Sequence, residues 1–271
     1  MTMKYDPVKN SLGVLFNKTS ALRKLFYRLL DLLLLRSWHI RKDLKLLQKG
    51  GFKPKEILDA GSGFGQYVYY LSKRFPDSKI TGLDIKPEQI EDCNQFFKKI
   101  NKSDKVLFEI ADLTRYEKAA YYNLILSVDV MEHIEEDVAV FKNFYKSLTP
   151  GGVLLISTPS DQGGSDVHHD HEDSFIDEHV RDGYGVDEIR EKLKSAGFSD
   201  ISVRFAYGTP GKISWRLSMK YPIQLVNFSK IFLLLLPFYY LITFPVSYLL
   251  NVRDVRKHHS TGTGLIVKCT K

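Results

Sequence analysis

The spacing of apolar positions changes character twice along this chain. From about residue 51 to 208, short apolar runs alternate with amphipathic stretches. The runs at Glu56–Ala60, Lys79–Asp84, Val106–Ile110, 124–128 and 153–157 predict strands. Patterns of helical period at about 65–74, 87–100, 135–148 and 186–196 separate them. Alternation of this kind predicts an α/β fold, a parallel sheet with helices on both faces. Such sheets bind ligands at the carboxyl ends of their strands. Residues 201–206 and 264–269 predict a sixth and a seventh strand, with an insertion of about fifty residues between them.

Outside that core the pattern differs. Residues 20–49 predict helix, with Leu22, Leu25, Phe26, Leu29, Leu32 and Leu33 at helical spacing. Arg23, Lys24, Arg28, Arg36, Arg41, Lys42 and Lys45 lie among them, and basic amphipathic helices often rest on membranes or on partner surfaces. Residues 231–250 form a run of twenty without a charge, about one bilayer thickness if helical. A single crossing is nonetheless excluded, because strands six and seven must share one sheet on one side of a membrane. Arg216 and Lys220 make the first half of the insertion too charged to cross, and Pro237 and Pro245 are expected to kink the second half. An in-plane or shallow re-entrant hairpin is expected, with a buried dimer interface as its competitor. Four segments follow: a helical extension or lid at 1–50, with packing on the sheet or on the insertion as the alternative to membrane contact, a core at 51–208, an apolar insertion at 209–260 and a final strand at 261–271.

Composition narrows the possibilities little further. Of 271 residues, 44% are hydrophobic and 26% charged, which excludes disorder as the main character. The net charge of +7 suits an anionic membrane surface or nucleic acid. No nucleic-acid module has its signature here, and basic residues flank the apolar tracts, so a membrane surface is expected and a nucleic-acid partner is not. Two distant cysteines fit a reducing compartment, and residues 1–10 hold no apolar leader pattern, so the cytoplasmic side of a membrane is the expected location.

Candidate chemistry begins where the first strand ends, at Asp59-Ala60-Gly61-Ser62-Gly63-Phe64-Gly65-Gln66. Glycines allow a tight turn and close approach of a ligand to the backbone. The spacing is GxGxG, and Gln66 occupies the place of the third glycine of a dinucleotide fingerprint, which disfavours a pyrophosphate ligand and an NAD-dependent dehydrogenase. Asp84 ends the second strand, where an acid can accept from two ribose hydroxyls. Asp112 follows the third strand, where a carboxylate could accept from an adenine amino group.

With ILDAGSGFGQ, TGLDIKPEQI, ADL, LILSVDVMEHI and LTPGGVLLISTP in this order, the chain resembles class I S-adenosylmethionine-dependent methyltransferases over about residues 54–160, and GVDEIREKLKSAGF extends the match to about 206. It most resembles the branch acting on quinones and lipid precursors. The resemblance implies a Rossmann-like doubly wound sheet of seven strands, six parallel, with the seventh antiparallel between the fifth and sixth. It implies S-adenosyl-L-methionine as cofactor. Asp59, Ala60, Gly61, Ser62, Gly63 and Gln66 would lie along its methionine part, Asp84 and Ile85 at the ribose, Ala111, Asp112 and Leu113 at the adenine, and Val128 and Asp129 near the sulfonium.

Methyl transfer to a hydroxyl is helped by a base. Asp129 and His133 follow the fourth strand, and His168 lies in the long histidine-rich loop 160–184 with His169, His171 and His179; Asp129, His133 and His168 are the catalytic candidates. Asp129, Glu132 and His133 also resemble a divalent-ion set of some quinone methyltransferases, but the first acid differs and no metal is expected. The expected acceptor is a hydrophobic or lipid-linked small molecule methylated at oxygen. The alternatives are a sugar or glycan precursor, with the apolar insertion as a homodimer interface, and a catalytically silent cofactor-binding scaffold at a membrane.

Overall fold

The computed structural model describes residues 19–163 and 180–271. In chain order the elements are α1 (Ser20–Leu33), α2 (Leu35–Lys49), β1 (Glu56–Ala60), α3 (Gln66–Arg74), β2 (Lys79–Asp84), α4 (Pro87–Lys99), β3 (Val106–Ile110), β4 (Tyr122–Val128), a 3-10 turn (Met131–His133), α5 (Asp137–Ser147), β5 (Leu148–Pro159), α6 (Val186–Ser195), β6 (Asp200–Ala206), α7 (Thr209–Trp215), a π turn (Arg216–Lys220), α8 (Tyr221–Phe228), α9 (Phe232–Arg256) and β7 (Gly264–Thr270). The sheet order is β3-β2-β1-β4-β5-β7-β6. Strands β1 to β5 pair in parallel, and β7 runs antiparallel to both β5 and β6.

The central strands read as nearly continuous apolar runs because both of their faces are buried. Successive side chains point to opposite faces. Ile57, Leu124, Leu126, Val153 and Leu155 therefore pack under α1 to α4, with Tyr27, Ile40, Leu71 and Phe97. Leu58, Ile125, Leu154 and Ile156 pack on the other face, against Phe141 and Phe144 of α5 and Ile189 and Leu193 of α6.

The N-terminal stretch is two helices and not one. Leu34 between them is extended (φ −87°, ψ 107°), and this break lets Leu34 and Leu35 both enter the core. Residues 209–256 form a helical hairpin between the edge strand β6 and its neighbour β7: α7, the π turn and α8 run out, and α9 runs back alongside them. The register of β6 on β7, from Asp200 opposite Thr270 to Ala206 opposite Gly264, holds both ends of the hairpin in one sheet. Pro237 and Pro245 do not interrupt α9, which continues through both. Tyr239 and Tyr240 donate their hydroxyls to the Leu217 and Ser218 carbonyls of the opposite arm at 2.7 Å each, bracing α9 beyond the Pro237 gap. Among the described residues α9 is the one helix long and apolar enough to cross a membrane.

The base of the hairpin is tied by Asp254, which is fully buried. Its carboxylate accepts from the Tyr207 and Gly211 N–H groups at 3.2 and 2.9 Å and faces His39 Nε2 at 2.9 Å. Arg204 reaches His39 Nδ1 at 2.9 Å. Because arginine can only donate, Nδ1 accepts and Nε2 carries the proton to Asp254. Burial by itself would raise the Asp254 carboxyl; the His39 hydrogen bond and its other partners outweigh it and hold the group below its ordinary value.

Candidate active site

The strand order reverses between β1 and β4, and the crevice for a ligand opens there at the carboxyl ends. Gly61 and Ser62 both donate their N–H to the Leu83 carbonyl of β2, at 2.8 and 2.7 Å, which stitches the glycine loop to its neighbour. Gly61 has φ +79°, and a Cβ there would lie 2.2 Å from Cγ2 of Val130, so only glycine fits. Gly63, at φ +48°, is different: a Cβ would meet only Gln89 Oε1, at 3.8 Å. The Gly63 N–H donates to Asp84 Oδ2 at 2.9 Å and the Lys86 N–H to Oδ1 at 3.0 Å, which fixes this carboxylate at the end of β2.

Asp59 is buried beneath the loop. Burial, and then the charge of Asp84, push its carboxyl up to about 7. Asp59 Oδ2, Ser62 Oγ and Ser127 Oγ are buried with no hydrogen-bond partner among the described residues. Such atoms are costly unless something satisfies them. Asp112 is exposed after β3; its Oδ1 accepts from the Thr114 hydroxyl at 2.7 Å and N–H at 2.9 Å, bonds that hold its carboxyl below the ordinary value. Ile85 is 65% exposed, Ala111 half-buried and Leu113 buried, all just past β2 and β3. Val128, buried, closes β4.

Beyond β4 the chain enters a polar mouth. Asp129 adopts φ +52°, donates its N–H to the Ser157 carbonyl at 2.8 Å and pairs with Arg36 of α2 at 2.5 Å. Glu132 is 1% exposed and accepts from Thr158 Oγ1 at 3.1 Å. Burial, then the neighbouring Asp129, push its carboxyl well above the ordinary carboxylate range, which favours the protonated form. His133 is half-buried in the 3-10 turn. His168, with His169, His171 and His179, lies outside the described residues. Among the described residues no group of three His, Cys, Asp or Glu could hold a metal ion.

Helices α1 and α2 pack beside this site, and the sequence reading did not foresee which of their side chains reach it. Arg23, Arg36 and Arg41 were expected as surface charges, and all three turn inward. Arg23 is 2% exposed. Its guanidinium donates to the Phe64 carbonyl of the glycine loop at 3.0 Å, to Asp92 at 2.6 Å and to the Tyr27 hydroxyl at 2.7 Å. The Tyr27 hydroxyl donates to the same Phe64 carbonyl. Arg41 pairs with Asp31, and Gln66, at the start of α3, turns its amide to Asp31 at 2.8 Å and Ser37 at 3.2 Å. An arginine four residues before a tyrosine on an otherwise apolar helix face was the one available signal.

A methyltransferase domain family matches residues 52–198, more than half of the chain, and the chain belongs to it. Its sheet order and loop place it in the class I, S-adenosylmethionine-dependent branch. Phosphoethanolamine N-methyltransferase 1 of Arabidopsis thaliana is 30% identical over 166 residues, 58% of this chain and 31% of the relative. Malonyl-[acyl-carrier protein] O-methyltransferase 1 of Ilyobacter polytropus is 32% identical over 120 residues, 44% of each. The match thus spans less than half the length of these relatives. Phosphoethanolamine N-methyltransferase 2 of Haemonchus contortus, crystallised with S-adenosyl-L-methionine, superposes with a TM-score of 0.57 at 19% identity, covering 85% of this chain and 52% of that one. A Mesorhizobium loti S-adenosylmethionine-dependent methyltransferase gives 0.56 at 16% identity, covering 88% and 100%. At these identities the likeness shows the fold.

The residues present fit the cofactor of this family. A carboxylate oriented by backbone donors suits a ribose diol. The partnerless Asp59 oxygen suits the donors of an amino-acid group, and a cation brought there would reverse the rise in its carboxyl. The open side of Gly63 leaves room for close approach.

Proposed function

We propose that this chain transfers a methyl group from S-adenosylmethionine to an oxygen of a hydrophobic or lipid-linked small molecule at the cytoplasmic face of a membrane. The observation that carries the reading is the exposed hairpin beside the mouth. Leu234, Phe238, Leu241, Ile242 and Leu249 are 68–75% exposed. Apolar surface left in water costs about 25 cal/mol per Å². Lys220, Lys230, Arg253, Arg256 and Lys257 flank it and suit anionic head groups. The hairpin begins two residues after Tyr207, whose hydroxyl accepts from the Arg36 N–H at 2.9 Å, while the Arg36 side chain holds Asp129. An acceptor leaving the bilayer along the hairpin would arrive at the polar mouth.

In this reading Gly61, Ser62 and Gly63 line the methionine part beside Asp59 and Ala60, with Gln66 bracing the loop from behind. Asp84 and Ile85 hold the ribose, Ala111, Asp112 and Leu113 the adenine, and Val128 and Asp129 flank the sulfonium. The cofactor supplies an electrophilic methyl group, and the protein contributes position and water exclusion. Helices α1 and α2 close the loop and the mouth from above. His133, with His168, takes the acceptor's proton, while Glu132, protonated and bound to Thr158, shapes the floor. The relatives above are named for methylation at nitrogen and at oxygen, so the atom is decided by the product. Lipid extracts incubated with methyl-labelled cofactor test the reading: label should move into organic-soluble material as an ether or ester. Label confined to water-soluble products, or to amines, would refute the acceptor assignment.

A further inference from the structure

Helix α1 has two working faces. Arg23 and Tyr27 point inward and together hold the Phe64 carbonyl of the glycine loop. About half a turn round the helix, Leu25, Leu29 and Leu32 point outward, 46%, 39% and 41% exposed. Exposed Arg28 and half-exposed Lys24 border this stripe. The stripe is continuous with the hairpin: the Trp38 indole donates to the Leu32 carbonyl at 3.2 Å, and its ring lies edge-on to Tyr248 of α9, 5.1 Å between centroids. Tyr248 and Leu249 are themselves 43% and 68% exposed. One apolar surface therefore runs from α9 across Trp38 to α1, edged by positive charge.

We infer that α1 is an interfacial helix through which an anionic membrane tightens the grip of the glycine loop on S-adenosylmethionine. The inference rests on the membrane reading above and adds a regulatory link to it. An isolated helix of fourteen residues is marginal in water. The surface that orders its outer face orders the inner face as well, and with it the two donors on Phe64. Coupling of this kind is reciprocal: whatever factor the membrane adds to cofactor affinity, cofactor must add to membrane affinity. Arg23 and Tyr27 act through the loop and are positioning residues.

The test uses the full chain, S-adenosylhomocysteine as ligand, and vesicles of equimolar phosphatidylglycerol and phosphatidylcholine. Calorimetry should show ligand affinity about five-fold or more tighter with vesicles than without, and co-sedimentation should show vesicle affinity raised by the same factor with ligand. The triple variant Leu25→Gln, Leu29→Gln, Leu32→Gln should keep the solution affinity of the wild type, which also reports its folding. It should still reach vesicles through the hairpin and lose the enhancement. Tyr27→Phe should weaken ligand binding with and without vesicles. A wild type that adsorbs to vesicles with unchanged ligand affinity overturns the coupling and leaves the membrane reading standing. A wild type that does not adsorb overturns both. An enhancement that survives in the triple variant removes α1 as the link, and a soluble two-chain mass that disappears in that variant assigns the stripe to a second copy of this chain.

Discussion

Two glycines two residues apart in the same loop should respond in opposite ways to one added methyl group. At Gly61 a Cβ would sit 2.2, 2.9 and 3.1 Å from Cγ2, Cγ1 and Cβ of Val130, in a backbone at φ +79°. The left-handed conformation costs a non-glycine residue about 1–2 kcal/mol. Forcing Val130 aside adds about 1–3 kcal/mol of overpacking. Gly61→Ala should therefore lose about 2–5 kcal/mol of folding stability. Val130 follows Asp129 directly, so the displacement also reaches the mouth. At Gly63 only the backbone cost applies, about 1–2 kcal/mol, because no neighbour comes closer than 3.8 Å. In the proposed reading of the site, the methyl group there instead enters the space the cofactor would take. Urea unfolding and calorimetry with S-adenosylmethionine should separate the two: Gly61→Ala mainly loses stability, and Gly63→Ala loses cofactor affinity out of proportion to its stability. A cycle with Val130→Ala isolates the clash, since the double variant should recover the overpacking part, about 1–3 kcal/mol. Additivity within about 0.5 kcal/mol, or equal destabilisation at the two glycines, would refute the steric account.

Glu132→Gln should change how stability depends on pH. A carboxyl raised by burial to about 8 favours the folded state at low pH, and that contribution is lost as pH rises through 8; the variant should flatten the slope and gain up to a few kcal/mol at about pH 9 relative to about pH 6 in denaturant titrations. A slope unchanged in the variant would assign it to other groups, Asp59 first. Asp254→Ala should cost about 3–5 kcal/mol in thermal or chemical unfolding, because His39 and the Tyr207 and Gly211 N–H groups lose their shared buried acceptor; a loss under about 1 kcal/mol would mean that the hairpin base is held elsewhere. Leu234→Asp with Phe238→Asp removes two side chains that are 74% and 68% exposed, and should weaken liposome binding about thirty-fold or more while leaving cofactor affinity intact. Undiminished co-sedimentation of that variant would exclude this face of α9 from the membrane contact.

The core was legible because its signals are local. Runs such as 124–128 are nearly continuous in apolar residues only when both faces of a strand are covered, and the spacing of Gly61, Gly63 and Gly65 before α3 is the chain's own requirement for a tight turn. Asp84 and Asp112 could be picked out because one ends a strand and the other follows one, at the carboxyl side of the sheet. The inward turn of Arg23, Arg36 and Arg41 was not legible. Periodicity places a residue on a face of a helix, but which face meets the core depends on partners far away in sequence. Asp92 lies 69 residues from Arg23 and Asp254 lies 215 from His39. The break at Leu34 was hidden for the same reason: nothing in its local sequence forbids helix, and the extended backbone is selected by burying Leu34 and Leu35 together. Helix α9 continues through both of its prolines, with Tyr239 and Tyr240 bonded to the opposite arm. The local pattern of the chain thus decided that the sheet, the loop and an apolar insertion would exist. Tertiary packing decided that α1 and α2 fold over the glycine loop, since only long-range contacts can compensate the burial of an arginine.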